Sequence, residues 1–170
     1  MTDTSAAADN AADNSATNSA KTTHNADTTT ASNACAALWL VRIGVALVLV
    51  ALLTGLAAPG LANPRMGLSS HLAGLSGGIL LIALGAAWRF VRLGQRGQAA
   101  AVILLAYGNI ANWLATFLAA LWNAGAMMPI AAPTPSAAPW QEAVVQACLI
   151  SLTPAMLVGV GLVLWGVRGR

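Results

Sequence analysis

The sequence predicts an all-α integral membrane protein, a four-helix bundle preceded by a disordered N-terminal tail. Two observations predict this class. Of the 170 residues, 58% are hydrophobic and only 8% are charged, whereas a soluble domain carries about a quarter charged residues. Apolar runs of about twenty residues, the length that crosses a bilayer as a helix, recur along the chain. So few charges cannot cover the surface of a soluble protein of this length.

The polar beginning of the chain, residues 1–34, forms the predicted tail. It is dominated by Ala, Asn, Thr, Ser and Asp and shows no apolar period, which is typical of disorder. His24 lies in this tail and is interpreted as a solvated side chain. Residues 35–170 are predicted to form one transmembrane domain. Its four helices are predicted at about 38–58, 68–88, 99–122 and 143–167.

The arginines predict the orientation of these helices. Arg89, Arg92 and Arg96 follow the second helix, and the chain closes with Arg168 and Arg170. Because short loops rich in arginine stay in the cytoplasm, both termini are predicted to be cytoplasmic, in a bacterial-type inner membrane. The net charge of +3 is therefore a topology signal, and a nucleic-acid partner is not expected.

His71 is the first residue for which chemistry is predicted. An ionisable side chain inside a membrane helix is costly and marks a functional site by default. Glycine occupies positions 67, 74 and 78 on the same helical face. One interpretation is close helix packing, with His71 merely near the interface. The other is room for a flat cofactor, lined by Gly74 and Gly78, whose metal His71 binds axially. Spacing alone favours packing.

The third helix carries a second polar group. Asn109, Asn112, Trp113 and Thr116 share one face, whereas Tyr107 points elsewhere on the same helix. Asparagine amides at membrane depth need hydrogen-bonding partners, so interhelical bonding is one interpretation. The other is a polar wall that orients a small aromatic substrate. Under that interpretation Tyr107, Asn109, Asn112 and Trp113 are the predicted catalytic residues.

Several other functions are disfavoured by the composition of the crossings. No Asp or Glu lies inside a predicted crossing, although a small proton-coupled exporter needs a carboxylate there. Neither a nucleophile paired with a base nor a phosphate-binding glycine loop is visible, so hydrolases and kinases have no support. Arg65 is predicted on the outer side, either as an interfacial anchor or as a residue that holds an anionic group of the cofactor.

The chain resembles the hydroxylaminobenzene mutases in several segments. These are Thr54-Gly55-Leu56, the run NPRMGLSSHL from Asn63 to Leu72, Tyr107-Gly108-Asn109, Ala111-Asn112-Trp113-Leu114, Pro139-Trp140-Gln141-Glu142 and Leu164-Trp165-Gly166. Together they extend in order from the first helix to the end of the chain. More distantly, the chain is similar to the styrene oxide isomerases, which have four membrane helices and a histidine early in the second.

This resemblance implies a membrane isomerase that converts an N-aryl hydroxylamine to an ortho-aminophenol. It also implies a homotrimer that holds haem b, with His71 as the axial ligand and ferric iron as a Lewis acid. Asn112 matches an Ala-Asn pair found in both groups. Ala73 and Gly77 depart from the family pattern, in which glutamate and asparagine are expected. The alternative functions are an aryl epoxide isomerase and a non-catalytic haem-binding membrane protein.

Overall fold

The fold consists of four long helices. The computed structural model describes residues 33–132 and 134–168, so the predicted tail lies outside the described residues except for its last two positions. The helices are α1 (33–57), α2 (Pro64–Ala87), α3 (Gln95–Trp122) and α4 (Pro139–Arg168). Each is long and apolar enough to cross a membrane, and the described residues contain no strand. The predicted all-α membrane fold is confirmed.

The predicted starts of the helices are wrong by about one turn. The structure begins α2, α3 and α4 at Pro64, Gln95 and Pro139, where the apolar pattern predicts 68, 99 and 143. Capping residues start α2 before its apolar stretch begins. The side-chain oxygen of Asn63 accepts a hydrogen bond from the Met66 N–H at 3.0 Å, and Pro64 occupies the first turn. His71 consequently lies about two turns into α2, deeper than expected.

Close packing of α1 on α2 depends on glycines. A Cβ atom on Gly74 would lie 2.7 Å from the Cβ of Ala51, and one on Gly78 would lie 2.6 Å from Cγ2 of Val48. The Gly78 position also faces the carbonyl oxygen of Gly44 at 2.7 Å. No side chain fits at such distances, so the small residues let the two backbones approach each other. This contact positions α1 beside His71.

Asn63 joins the elements at the end of the bundle where α2 begins and α3 ends. Its side-chain amide donates hydrogen bonds to Oδ1 of Asn123 and to the carbonyl of Ala131, both at 3.0 Å. Its backbone N–H donates to the carbonyl of Ala120 at 3.0 Å. Asn123 ends α3 with a φ of 50°, a left-handed conformation that asparagine tolerates. The start of α2, the end of α3 and the connection to α4 are thus joined.

Glu142 fixes the same connection from the first turn of α4. Its carboxylate accepts hydrogen bonds from the N–H groups of Gly125 at 2.8 Å and Ala126 at 3.1 Å. Close by, Trp122 and Trp140 pack edge to face with ring centroids 5.3 Å apart. Tryptophan is enriched at the level of lipid headgroups. The Pro139-Trp140-Gln141-Glu142 motif therefore has a structural role, which is to attach the start of α4 to the end of α3 and the loop that follows it.

Large apolar side chains cover the outward surfaces of α1 and α4. Leu56 is 83% exposed, and Leu157 and Trp165 are exposed to 70% and 73%. Surfaces of this kind are unfavourable in water but suit contact with lipid chains, which are as apolar as leucine. The buried core between the helices contains Leu81 and Trp88. The distribution of apolar side chains agrees with a membrane protein.

Candidate active site

The imidazole of His71 rests on α1. Its Nδ1 lies 2.7 Å from the carbonyl oxygen of Ala51. A carbonyl can only accept, so Nδ1 donates the proton in this hydrogen bond, and in the neutral ring Nε2 keeps its lone pair. No residue of the described part of the chain bonds to Nε2, and the side chain is half-buried. His71 therefore presents one basic nitrogen at membrane depth.

Trp113 reaches the same region of α1 from α3. Its indole N–H donates to Oγ1 of Thr54 at 3.2 Å, and the buried Thr54 donates in turn to the carbonyl of Val50 at 2.9 Å. The neighbour of Thr54 in the sequence, Gly55, is the residue against which the ring of His71 lies. The predicted residues His71 and Trp113 thus contact adjacent positions of α1.

Gly74 and Gly78 lie in the contact between α1 and α2. In addition to Ala51, a Cβ on Gly74 would meet Cδ1 of Trp113 at 2.9 Å. The indole of Trp113 also stacks on Phe117, with centroids 5.4 Å apart and planes inclined by 12°. Protein atoms therefore occupy the space over both glycines, as the packing interpretation expects. That Gly74 and Gly78 line a cofactor site stays a prediction.

The two asparagines of α3 have different surroundings. Asn109 is buried, and its amide nitrogen donates to the carbonyl of Leu105 at 2.7 Å and contacts Sδ of Met156 at 3.6 Å. Its Oδ1 would lie 2.6 Å from a Cβ at Gly77, so this side chain fills the space that glycine leaves there. Asn112 is half-buried, and its amide has no hydrogen-bonding partner among the described residues. Only Asn109 is explained by the packing of the bundle.

Tyr107 and Arg65 lie away from His71. The hydroxyl of Tyr107 is 2.7 Å from Oγ of Ser151, which places it on the side of α3 that faces α4. Arg65 is exposed and lines a groove of about 450 Å³ formed with Ser69 and with residues 127–131 of the loop before α4. Neither residue is hydrogen-bonded to the imidazole of His71. Their assignment to the site stays a prediction.

A larger groove, of about 550 Å³, runs between α1 and α3 at the opposite end of the bundle. Trp39, Ile43 and Gln98 are among the residues that line it. His71 lines neither of these two grooves. Neither of these two grooves is therefore the place for a ligand on Nε2 of His71.

Three residues that surround His71 and Trp113 were not predicted as site residues. These are Ala51, Thr54 and Gly55 of α1. The available signals are that Thr54 and Gly55 briefly interrupt the apolar run of the first helix and belong to a segment that resembles the hydroxylaminobenzene mutases. Ala51 acts through its backbone carbonyl, and no side-chain pattern can indicate such a role.

Comparison with known proteins supports an isomerase. A model of the styrene oxide isomerase family matches residues 36–168. Hydroxylaminobenzene mutase HabB of Ectopseudomonas oleovorans is 48% identical over 141 residues, which are 82% of this chain and 86% of that protein. Hydroxylaminobenzene mutase HabA of the same organism is 45% identical over 130 residues, or 76% and 96%. No solved structure matches the chain significantly.

These similarities confirm the resemblance inferred from the sequence motifs. Both relatives bear the name of a mutase, and mutases are isomerases, as are the members of the matching family. The matched residues 36–168 include every candidate site residue and all of the four helices except the first three residues of α1. The protein is a membrane isomerase, and the chain belongs to the styrene oxide isomerase family.

Proposed function

We propose that this isomerase is a hydroxylaminobenzene mutase, which rearranges an N-aryl hydroxylamine to an ortho-aminophenol with haem bound to His71. The observation that carries the proposal is the imidazole of His71, which is hydrogen-bonded through Nδ1 and leaves Nε2 without a partner among the described residues. The names of the two relatives, at 48% and 45% identity, support the choice of substrate.

Haem suits a site that has one protein ligand. Within residues 33–132 and 134–168, no three His, Cys, Asp or Glu side chains are grouped to hold a bare metal ion. His71 therefore suits a metal that brings most of its own ligands, as a porphyrin does. An Nδ1–H bond to a backbone carbonyl is also a common way of orienting a metal-binding histidine. When bound, ferric haem supplies a Lewis acid that draws electrons from the N–O bond.

The proposed reaction is balanced within the substrate. The N–O bond breaks, a C–O bond forms at the ortho carbon, and one proton leaves that carbon while the nitrogen gains one. No oxidant, reductant or net water is consumed. The apolar helices exclude bulk water that would trap a cationic ring. The amide of Asn112 orients the nitrogen or hydroxyl, and the half-buried indole of Trp113 offers its π face to positive charge.

We further propose that a homotrimer encloses the site. In one chain, a ligand on Nε2 of the half-buried His71 would not be enclosed by either of the two grooves described above. A neighbouring copy would cover that ligand. The protein is also proposed to lie in a bacterial inner membrane, and the arginines after α2 and at the C-terminal end of the chain support an orientation with both termini in the cytoplasm.

The proposal is tested by turnover and absorption of the purified wild-type protein. After expression with ample haem and purification in detergent, the protein is expected to show a Soret band and to convert hydroxylaminobenzene to 2-aminophenol. Turnover by a colourless protein would contradict the proposal that the reaction requires haem. A Soret band without turnover of any aromatic substrate would instead indicate a non-catalytic haem-binding protein.

An aryl epoxide isomerase is the second candidate function. The family model that matches residues 36–168 is that of styrene oxide isomerase, and the strained C–O bond of an epoxide is also opened by a Lewis acid. The two candidates are separated by measuring kcat/KM for hydroxylaminobenzene and styrene oxide on one preparation. The proposed function predicts the higher value for hydroxylaminobenzene, and the reverse order would favour the epoxide.

Asn112→Ala is expected to reduce kcat/KM for the substrate about 100-fold, as does loss of one preorganised hydrogen-bond donor. Its melting temperature should stay near that of the wild type, since the Asn112 amide has no partner among the described residues. Asn109→Ala is the matched comparison and should lower the melting temperature, because the bonds of Asn109 to Leu105 and Met156 are lost. A destabilised Asn112→Ala variant with normal kinetics would contradict this assignment.

A further inference from the structure

Gly55 of α1 provides the surface on which the His71 ring lies. A Cβ atom at this position would be 2.5 Å from Nδ1 of His71 and 2.9 Å from both Cε1 and Cγ. Carbon atoms in favourable contact are about 3.5–4.0 Å apart. All three of the nearest atoms belong to the imidazole, so any side chain at position 55 would displace the ring.

Ala51, one helical turn before Gly55, supplies the second constraint. Its carbonyl oxygen accepts the hydrogen bond from Nδ1 of His71 at 2.7 Å. A carbonyl has two lone pairs, so it can accept from the ring as well as within the helix. Residues four apart share one face of a helix. Ala51 and Gly55 therefore form one surface that holds both the ring and its proton.

We infer that Gly55 is a positioning residue of this isomerase. By lacking a side chain, it lets the imidazole of His71 reach the Ala51 carbonyl, which keeps the proton on Nδ1 and leaves Nε2 as the ligand atom. Only the last step, binding of haem iron by Nε2, rests on the proposed function. The ring position and the tautomer are properties of the chain itself.

This role differs from that of the glycines that merely allow helices to approach. A Cβ on Gly44, also in α1, would meet the carbonyl oxygen of Gly78 at 2.7 Å and Cγ1 of Ile82 at 2.8 Å. Those neighbours are backbone and aliphatic atoms. Among the described glycines, Gly55 is the one whose nearest atoms belong to an ionisable side chain. Gly44→Ala is therefore a matched control, with similar crowding on the same helix but no contact with His71.

The inference is tested first by nitrogen NMR of the haem-free, full-length protein carrying ¹⁵N-labelled histidine. His24 is the other histidine of the chain and is replaced by alanine to leave one signal set. The parent protein is expected to show the Nδ1-protonated neutral ring. Gly55→Ala should lose that tautomer, whereas Gly44→Ala should retain it.

In the haem-loaded proteins, Gly55→Ala should weaken haem binding about 10-fold or more, in line with loss of a group that orients a metal ligand.

A second measurement covers the case in which Gly55→Ala does not fold. In a His71→Ala background the ring is absent, so the three atoms nearest to an added methyl group at position 55 are removed. The Gly55→Ala/His71→Ala protein is expected to melt at the temperature of His71→Ala, whereas Gly44→Ala should lower the melting temperature in both backgrounds. Equal destabilisation by Gly55→Ala with and without His71 would overturn the inference, as would an Nε2-protonated ring in the parent.

The outcomes also separate this inference from the proposed function. A wild-type protein that binds no haem but shows the tautomer contrast between Gly55→Ala and Gly44→Ala would reject the cofactor and uphold the positioning role of Gly55. A wild-type protein that binds haem, with the same tautomer and the same haem affinity after Gly55→Ala, would uphold the cofactor and reject the positioning role of Gly55.

Discussion

His71→Ala is expected to lose the Soret band and to turn over hydroxylaminobenzene roughly 100- to 1,000-fold more slowly than the wild type. The reason is that Nε2 of His71 is the nitrogen that we propose as the haem ligand, and loss of an electrostatic stabiliser of the breaking bond has effects of this size. The measurement is the initial rate and the absorption spectrum of detergent-purified protein after identical haem supply.

The fold of this variant should be retained, which makes the loss interpretable. His71 contributes one hydrogen bond, to Ala51, and such a bond is worth about 1 kcal/mol net. His71→Gly supplies a rescue control, because free imidazole can enter the space beside Gly55 and restore part of the absorption band. A His71→Ala protein with wild-type spectrum and rate would refute both the ligand and the mechanism.

Trp113→Ala is expected to lower the free energy of unfolding by about 3 kcal/mol, at the lower end for removing a large aromatic ring because the side chain is half-buried. The indole lies against Gly74 and stacks on Phe117, so its removal leaves a cavity between three helices. The bond from its N–H to Thr54, which joins α3 to α1, is also lost. Unfolding by denaturing detergent, followed by circular dichroism, measures the effect.

Trp113→Phe separates the two contributions to stability. Phenylalanine keeps most of the ring packing but cannot donate to Oγ1 of Thr54, so a smaller cost of about 1 kcal/mol is expected. If the alanine and phenylalanine variants unfold at the same detergent concentration, the packing of Trp113 between the helices contributes little, and the hydrogen bond accounts for the whole effect.

Hydropathy predicted the number of helices and their order but not where they begin. Apolar content reports which residues contact lipid, whereas the start of a helix depends on local hydrogen bonds. Asn63 and Pro64 start α2 among polar residues, before its apolar stretch begins. Pro139 is likewise the first residue of α4, and α3 also begins early, at Gln95, so the three errors have the same direction.

The sequence predicts which site residues share a face of one helix, but not which residues of other helices contact them. Spacing placed His71 on a glycine face, yet it does not reveal that α1 covers this face or that Gly55 lies under the ring. Asn109 and Asn112 share a predicted face, but Asn109 alone finds partners, since these come from Met156 of α4 and from the backbone of α3. The Leu105 carbonyl lies four residues earlier on the same helix, but Met156 comes from α4, and no local pattern records how helices distant in sequence pack.

The contact between His71 and α1 has a consequence for biosynthesis. Ala51, Gly55 and His71 all belong to the first two crossings, and the chain is made from its N-terminus. The ring can therefore find its carbonyl partner while the ribosome is still adding α3 and α4. Trp113 arrives later and packs on a hairpin in which the imidazole of His71 is already oriented. Under the proposed function, the ligand for haem is thus oriented on a half-made polypeptide, before the proposed homotrimer assembles.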